Sequence, residues 1–255
     1  MSGLLDPSVM LHGYASGVFP MADSRDSEDL FWVEPRQRAI LPLAGFHLSR
    51  SLAKRLRSGK FQVTVDQAFA ATLAACAERE ETWINAPIER AMLDLFDTGF
   101  GHSVEVWQDG QLVGGLYGVA LGRAFFGESM FSRATDASKV ALAWLVALLR
   151  RAGYLVLDCQ FMTPHLASLG AVGIAREAYL ERLAEARLEP PRCTLPESYA
   201  SFAAAAAAGV AGASGVARAA GLDGLDGAAP SPSSSGSTGF SSSGKLIAQS
   251  LTQTS

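Results

Sequence analysis

Ser103-Val104-Glu105-Val106-Trp107, Asp109-Gly110 and Leu112-Val113-Gly114-Gly115-Leu116-Tyr117-Gly118-Val119 form the stretch that decides the fold. Asp-Gly between two such runs marks a tight two-residue hairpin, because both central positions of the favoured turn need positive φ. After the turn at Gly122-Arg123, Ala124-Phe125-Phe126 continues the antiparallel meander. Downstream, Val140, Leu142, Leu145, Val146, Leu148 and Leu149 give residues 137–152 a broad apolar helical face. Asp136 is placed to cap the start of that helix and Gly153 to end it. Tyr154 to Cys159 then reads as a buried strand, Pro164 to Leu169 as a short helix closed by Gly170, and Glu177 to Arg187 as an amphipathic helix. Upstream, Phe61-Gln62-Val63-Thr64-Val65 alternates like a strand, and Asp66 suits the N-cap of a helix over Gln67 to Ala77. The order is that of an α+β domain with helices packed on a mostly antiparallel sheet.

The 255 residues are 49% hydrophobic and 18% charged, enough apolar material for a substantial core. The opening Met1-Ser2-Gly3-Leu4-Leu5-Asp6-Pro7 has neither a basic nor an apolar leader segment, and no apolar run approaches the ~18 residues of a membrane span. Cys76, Cys159 and Cys193 are odd in number and widely spaced, so neither a disulfide framework nor a CxxC metal site is predicted, and a reducing cytoplasm is expected. After Phe202 the composition changes: Ala203 to Ala208 is unbroken alanine, and 228–244 is dominated by Ser, Gly, Pro and Ala. Composition of this kind buries little apolar surface, so 199–255 is expected to be a disordered tail.

A net charge of −4 excludes a basic field over the whole molecule, so any nucleic-acid contact must be local. One patch qualifies. Arg50, Lys54, Arg55, Arg57 and Lys60 fall within eleven acid-free residues, and at helical spacing Arg50, Lys54 and Arg57 share a face. A solvated helix face accounts for it equally well.

Glu128, Asp158 and Gln160 sit at the ends of apolar strand-like runs, where a charged group must be solvated, paired or used. Asp158 and Gln160 alternate by two and so share a face while the strand continues. A carboxylate bonded to an amide that contacts an amine is one use; a satisfied structural network is the other. Trp83, in the polar loop after Glu78-Arg79-Glu80-Glu81-Thr82, can stack on a base or plug the loop from beneath. Gly114-Gly115-Leu116-Tyr117-Gly118 opens no helix and is no phosphate loop; glycine there marks a bulge or a close approach. His12, His47, His102 and His165 have no ligand spacing, and no metal or other cofactor is expected.

Ten segments in one order resemble a single family. They include Gly13-Tyr14-Ala15-Ser16-Gly17-Val18-Phe19-Pro20-Met21, His47-Leu48-Ser49-Arg50-Ser51, Thr82-Trp83-Ile84, Phe126-Gly127-Glu128-Ser129-Met130-Phe131-Ser132, Ala137-Ser138-Lys139, Asp158-Cys159-Gln160 and His165-Leu166-Ala167-Ser168-Leu169-Gly170-Ala171. Over about residues 12–194 the chain is similar to the leucyl/phenylalanyl-tRNA protein transferases. The resemblance implies transfer of Leu or Phe, with Met also accepted, from charged Leu-tRNA or Phe-tRNA to the N-terminal amine of proteins beginning with Arg or Lys, marking them for degradation. It implies a small N-terminal domain (1–37), a domain similar to the GCN5-related acetyltransferases (38–198), and a tail (199–255) without a counterpart.

By position, the resemblance makes Asp158 and Gln160 a relay in which the acid orients the amide and the amide helps activate the incoming α-amine. Glu128 becomes a carboxylate of the same cleft, and Leu116, Leu142, Leu145, Leu149 and Leu157 the lining of the amino-acid pocket. Trp83 is implied to stack on the terminal adenosine with Tyr14 in the other wall; Met21 stands where other members carry a second Trp. Arg50, Lys54 and Arg57 are implied to hold tRNA phosphates. Two other readings stay open: a non-catalytic tRNA-binding or degradation adaptor, and an acetyl-CoA-dependent N-acetyltransferase. The latter lacks a glycine-rich pyrophosphate loop in Ser132-Arg133-Ala134-Thr135.

Overall fold

The computed structural model describes residues 5–79, 82–218 and 237–252. Helix α1 (Pro7–Ala15) and the two-stranded ribbon β1 (Phe19–Met21) and β2 (Phe31–Val33) precede β3 (Gln37–Ile40) and α2 (Arg50–Arg57). Strand β4 (Gln62–Val65) and helices α3 (Phe69–Ala77) and α4 (Ala86–Asp97) lead into the meander β5 (Gly101–Gln108), β6 (Gln111–Leu121) and β7 (Ala124–Ser132). Then come α5 (Ala137–Ala152), β8 (Val156–Gln160), α6 (Pro164–Ser168), β9 (Val172–Ala175), α7 (Arg176–Ala186), α8 (Leu195–Arg218) and α9 (Ser237–Thr252). The large sheet has the order β4-β5-β6-β7-β8-β3-β9 and is antiparallel except at β7–β8. Asp109 and Gly110 both take positive φ, as the hairpin requires.

Helices cover both faces of the sheet, which makes two apolar clusters. One joins α2, α5, α8 and α9 to the sheet through Leu56, Trp144, Leu148, Phe202 and Ile247. The other joins α1, α3, α4 and α7 to it through Tyr14, Phe69, Met92 and Tyr179. Among the described residues no helix is long and apolar enough to cross a membrane. At Gly118 the β6–β7 register shifts, and a Cβ there would meet the Phe126 carbonyl; the strand glycine marks a close approach at a bulge.

Two expectations meet a different arrangement. Asp66 is no helix cap: at φ +58° it accepts the Ser103 amide (2.8 Å) and pairs with His102 (2.8 Å), and α3 starts after Ala68. Asp136 precedes α5 in a left-handed conformation without a side-chain capping bond; its carboxylate is drawn off to Lys139 (3.3 Å) and Arg55 (3.7 Å). Of the expected tail 199–255, the described residues 199–218 and 237–252 are helical, and Phe202, Ala206, Ile247, Ala248 and Leu251 are buried. Few apolar residues suffice here because they land on an existing apolar surface, the outer face of α5; residues 219–236 and 253–255 lie outside the described residues.

Candidate active site

The site opens where β7 and β8, the one parallel pair among the described residues, part company. Their register holds for Ala124, Phe125 and Phe126 opposite Val156, Leu157 and Asp158 and then ends. Past that point, Gly127 to Met130 together with Leu157, Cys159 and Gln160 line a cavity of about 380 Å³. The carboxyl ends of neighbouring parallel strands are where α/β sheets commonly place ligands, since diverging backbones leave a crevice that side chains can furnish. Leu116, Leu142, Leu145, Leu157 and Leu166 make one part of the wall apolar, and Met21 and Trp83 also line the cavity. The Ala22 amide donates to the Trp83 carbonyl (3.3 Å), which ties the end of β1 to the Trp83 loop.

Asp158 is fully buried and heavily engaged. Arg38, itself 1% exposed, donates from Nε (2.9 Å to Oδ1) and Nη2 (2.6 Å to Oδ2). The Tyr179 hydroxyl donates to Oδ2 (2.8 Å) and the Gln160 amide N–H to Oδ1 (2.8 Å). The Arg38 guanidinium lies 4.5 Å from the Phe19 ring centroid and 4.8 Å from that of Tyr179, and donates to the Gly17 carbonyl (3.2 Å). Burial opposes the Arg38 charge, but the adjacent Asp158 carboxylate outweighs it, so its pKa lies above the ordinary value. The acid and the cation reach each other because β3 inserts between β8 and β9, setting Ile40 opposite Asp158 and Ala39 opposite Gln160.

Gln160 has φ +62°, uncommon for a residue with a side chain. The bend lets its backbone N–H turn back onto Asp158 while its side chain leaves the strand and donates from Nε2 to Glu128 Oε1 (2.9 Å) across the split. Strain of this kind costs roughly 1–3 kcal/mol and persists only where surroundings over-determine it. The acid therefore orients the amide's backbone, and Glu128 orients its side chain. With both amide hydrogens at Nε2 and Glu128 Oε1 accepting one of them, the Gln160 carbonyl oxygen is left as an acceptor beside the cavity.

Glu128 is 6% exposed, and burial pushes its carboxyl up to about 8. The Asp158 charge pushes the same way, while Tyr14, Arg38 and Gln160 oppose. The sign follows from proton counting. Between the ordinary 4.5 and about 8 the folded protein holds a proton that the unfolded chain has lost, so this contribution is complete below 4.5 and lost as pH rises to 8. Glu128→Gln is expected to flatten that decline, which in the wild type amounts to as much as about 4 kcal/mol. Urea melts at pH 5, 6.5 and 8 check it; parallel pH profiles for the two proteins would refute it.

Of the residues singled out in the sequence, Glu128, Gln160, Trp83, Leu116, Leu142, Leu145 and Leu157 line the cavity. Asp158 stands directly behind it. Leu149 does not line it and belongs to the core on α5; Tyr14 is buried on α1 as an electrostatic neighbour of Glu128. Arg50, Lys54 and Arg57 are exposed on α2, away from the lining, while Leu52, Ala53 and Leu56 face inward. Arg38 and Tyr179 were missed. The available signal was charge balance: a carboxylate inside Leu155-Val156-Leu157-Asp158 needs a buried cation, and Arg38 alternates with Ile40 in a short apolar stretch.

Two family models match the chain: leucyl/phenylalanyl-tRNA protein transferase over residues 40–184, and the N-terminal domain of the same proteins over 3–36. The chain belongs to this family. Relatives named leucyl/phenylalanyl-tRNA protein transferase include one from Zymomonas mobilis, 56% identical over 190 residues, which are 73% of this chain and 71% of that protein. One from Ruegeria pomeroyi is 58% identical over 71% of this chain and 87% of its own length, and one from Paramagnetospirillum magneticum 59% identical over 72% and 90%. A putative lysylphosphatidylglycerol synthetase domain from Agrobacterium fabrum is 13% identical over 70% of this chain and 62% of that one, with a TM-score of 0.35, too low to bear on the fold. As a member of its family the protein is an aminoacyltransferase acting from aminoacyl-tRNA. The adaptor and acetyl-CoA readings give way to this finding.

Proposed function

We propose that the protein transfers Leu or Phe, with Met tolerated, from Leu-tRNA or Phe-tRNA to the α-amine of proteins that begin with Arg or Lys, in the cytoplasm where charged tRNA is found. The observation that carries this reading is an apolar cavity walled by Leu116, Leu142, Leu145 and Leu157 that also contains the amide of Gln160. An apolar wall rejects polar side chains by desolvation but separates Leu, Phe and Met weakly, since a methylene is worth only ~1–3 kcal/mol. Met21 and Trp83 take the terminal adenosine, the thioether on one ring face and the indole on the other. Arg50, Lys54 and Arg57 hold tRNA phosphates farther away, and residues 1–37 and 38–198 form the two domains.

The reaction joins the acceptor amine nitrogen to the ester carbonyl carbon and breaks the bond from that carbon to the ribose 3′ oxygen. The nitrogen loses one proton and the released 3′ hydroxyl gains one. A primary amide is no base, so Gln160 works by position: its carbonyl oxygen accepts one amine N–H and aims the nitrogen lone pair at the ester. Glu128 fixes which end of the amide faces the amine, and Asp158 with Arg38 holds the backbone bend that brings the amide there.

The test is transfer from [14C]Leu-tRNA to a peptide starting with Arg and to one starting with Ala. Label is expected in the Arg peptide alone, and Gln160→Ala is expected to lower kcat by ~10²-fold or more while leaving tRNA binding in place. Equal labelling of both peptides would overturn the acceptor assignment, and undiminished turnover in Gln160→Ala would remove the amide from the mechanism.

A further inference from the structure

A second groove, of about 440 Å³, adjoins the amino-acid cavity and shares Arg79, Met130 and His165 with it. Its remaining lining includes Ser132, Arg133 and Ser138. A hydrophobic aminoacyl group has no use for two arginines and a histidine. The donor, however, is more than its aminoacyl end: the terminal ribose continues on its 5′ side into a chain with one negative charge per nucleotide. That chain must leave the cavity over one edge, and the shared edge carries Arg79, with Arg133 in the groove beyond it.

Arg133 projects at the rim, where its Nη2 lies 2.5 Å from Glu78; the two side chains are 48% and 64% exposed. A pair so exposed is held by little free energy, so Arg133 can exchange Glu78 for an incoming phosphate without stranding a buried charge. Its guanidinium also lies 5.2 Å from the Phe131 ring centroid, which directs it along the groove. Arg79 donates to the Met130 carbonyl and thereby sits across the boundary between groove and cavity. His165 Nε2 is shielded from solvent and has no hydrogen-bond partner among the described residues, and burial beside Lys139 lowers its pKa, which leaves a neutral ring with an unused nitrogen at that boundary. The start of α5 is not the anion site, because the Ser138 amide is already bonded to Ser132 Oγ (3.2 Å).

We propose that this groove is the phosphate subsite for the 3′-terminal nucleotides of the donor, with Arg133 and Arg79 on phosphodiester oxygens and His165 on the terminal ribose or its 5′ phosphate. The assignment rests on the aminoacyl-tRNA reading above and adds to it a route for the RNA that the α2 cations do not supply. Charge-assisted, bidentate contact is what arginine offers a phosphate, and it carries no base preference.

Two donors separate the subsite from the reaction: the phenylalanyl ester of adenosine, which has no phosphate, and the same ester on cytidylyl-cytidylyl-adenosine, which has two. Wild-type protein is expected to show a lower KM for the trinucleotide ester. Arg133→Gln is expected to raise that KM about tenfold or more, to leave kcat and the adenosine-ester KM unchanged, and to weaken the salt dependence; Arg133→Lys recovers part of the loss. A KM change of equal size with both donors, or none with either, overturns the subsite while the transferase reading stands. Wild-type protein that uses neither donor, nor charged tRNA, overturns both.

Discussion

Arg38→Met is expected to destabilise the protein by about 3–5 kcal/mol and to abolish transfer, because it strands the Asp158 carboxylate where both side chains are almost wholly excluded from water (1% and 0% exposed). The Coulomb attraction of such a pair does little more than offset the cost of dehydrating two charges, so deleting one partner exposes the whole remaining penalty. Replacing both tests the argument. Arg38→Met combined with Asp158→Leu removes both charges and is expected to recover much of the lost stability. Transfer should stay absent in the double variant, since nothing then accepts the Gln160 N–H and the left-handed backbone at φ +62° loses its anchor. Chemical denaturation and label transfer on the same preparations read the two effects separately. A single variant as stable as wild type would show that the pair is not the anchor, and a double variant with normal turnover would show that the bend at Gln160 does not matter to the reaction.

That pair also marks where the sequence stops being legible. The hairpin at Asp109-Gly110, helix 137–152 and strand 156–160 could be read because each is specified locally, by turn chemistry, helical period or an apolar run. Glu128 and Gln160 could be read as a site for a related reason: polar groups ending apolar strands demand an explanation. Arg38 could not be placed in the same way. It lies 120 residues from Asp158 along the chain, on a four-residue strand with no alternation strong enough to announce itself. Its position comes from the sheet order, in which an N-terminal strand enters between two later ones. The misreading of Asp66 has the opposite origin: the local capping rule was sound, but a tertiary partner, the Ser103 amide with His102, claimed the carboxylate.

The C-terminal helices are expected to matter as much to stability as any part of the family-matched region, and α5 gives the reason. Every residue from Val140 to Leu149 is buried, so this helix is apolar all round and needs cover on the side away from the sheet. The apolar period of 137–152 gives α5 one broad face and leaves its other side unassigned, while the composition of 199–255 assigns that segment no packing surface. The two gaps fill each other: Trp144 meets Tyr199 (5.8 Å between ring centroids) and Phe202 (6.4 Å), and Ile247, Ala248 and Leu251 of α9 join the same core. Tyr199 donates to the Val63 carbonyl (2.7 Å) and Ser198 to that of Leu148 (3.1 Å), which tie α8 to β4 and to α5. Gly244 passes so close to α2 that a Cβ would collide with the Leu56 carbonyl, a contact only glycine permits. Ile247→Asp is therefore expected to cost about 2–5 kcal/mol, by losing buried apolar atoms and burying a charge, and to lower Tm by roughly 5–15 °C. Gly244→Val should act in the same direction by holding α9 off α2, whereas Lys245→Ala, at an exposed position of the same helix, should leave Tm within about 1–2 °C of wild type. Differential scanning calorimetry of the three variants decides the matter: three unchanged melts would mean that α9 does not hold its place on α5 and α2, while losses confined to Ile247→Asp and Gly244→Val would make the end of this chain a working part of its core.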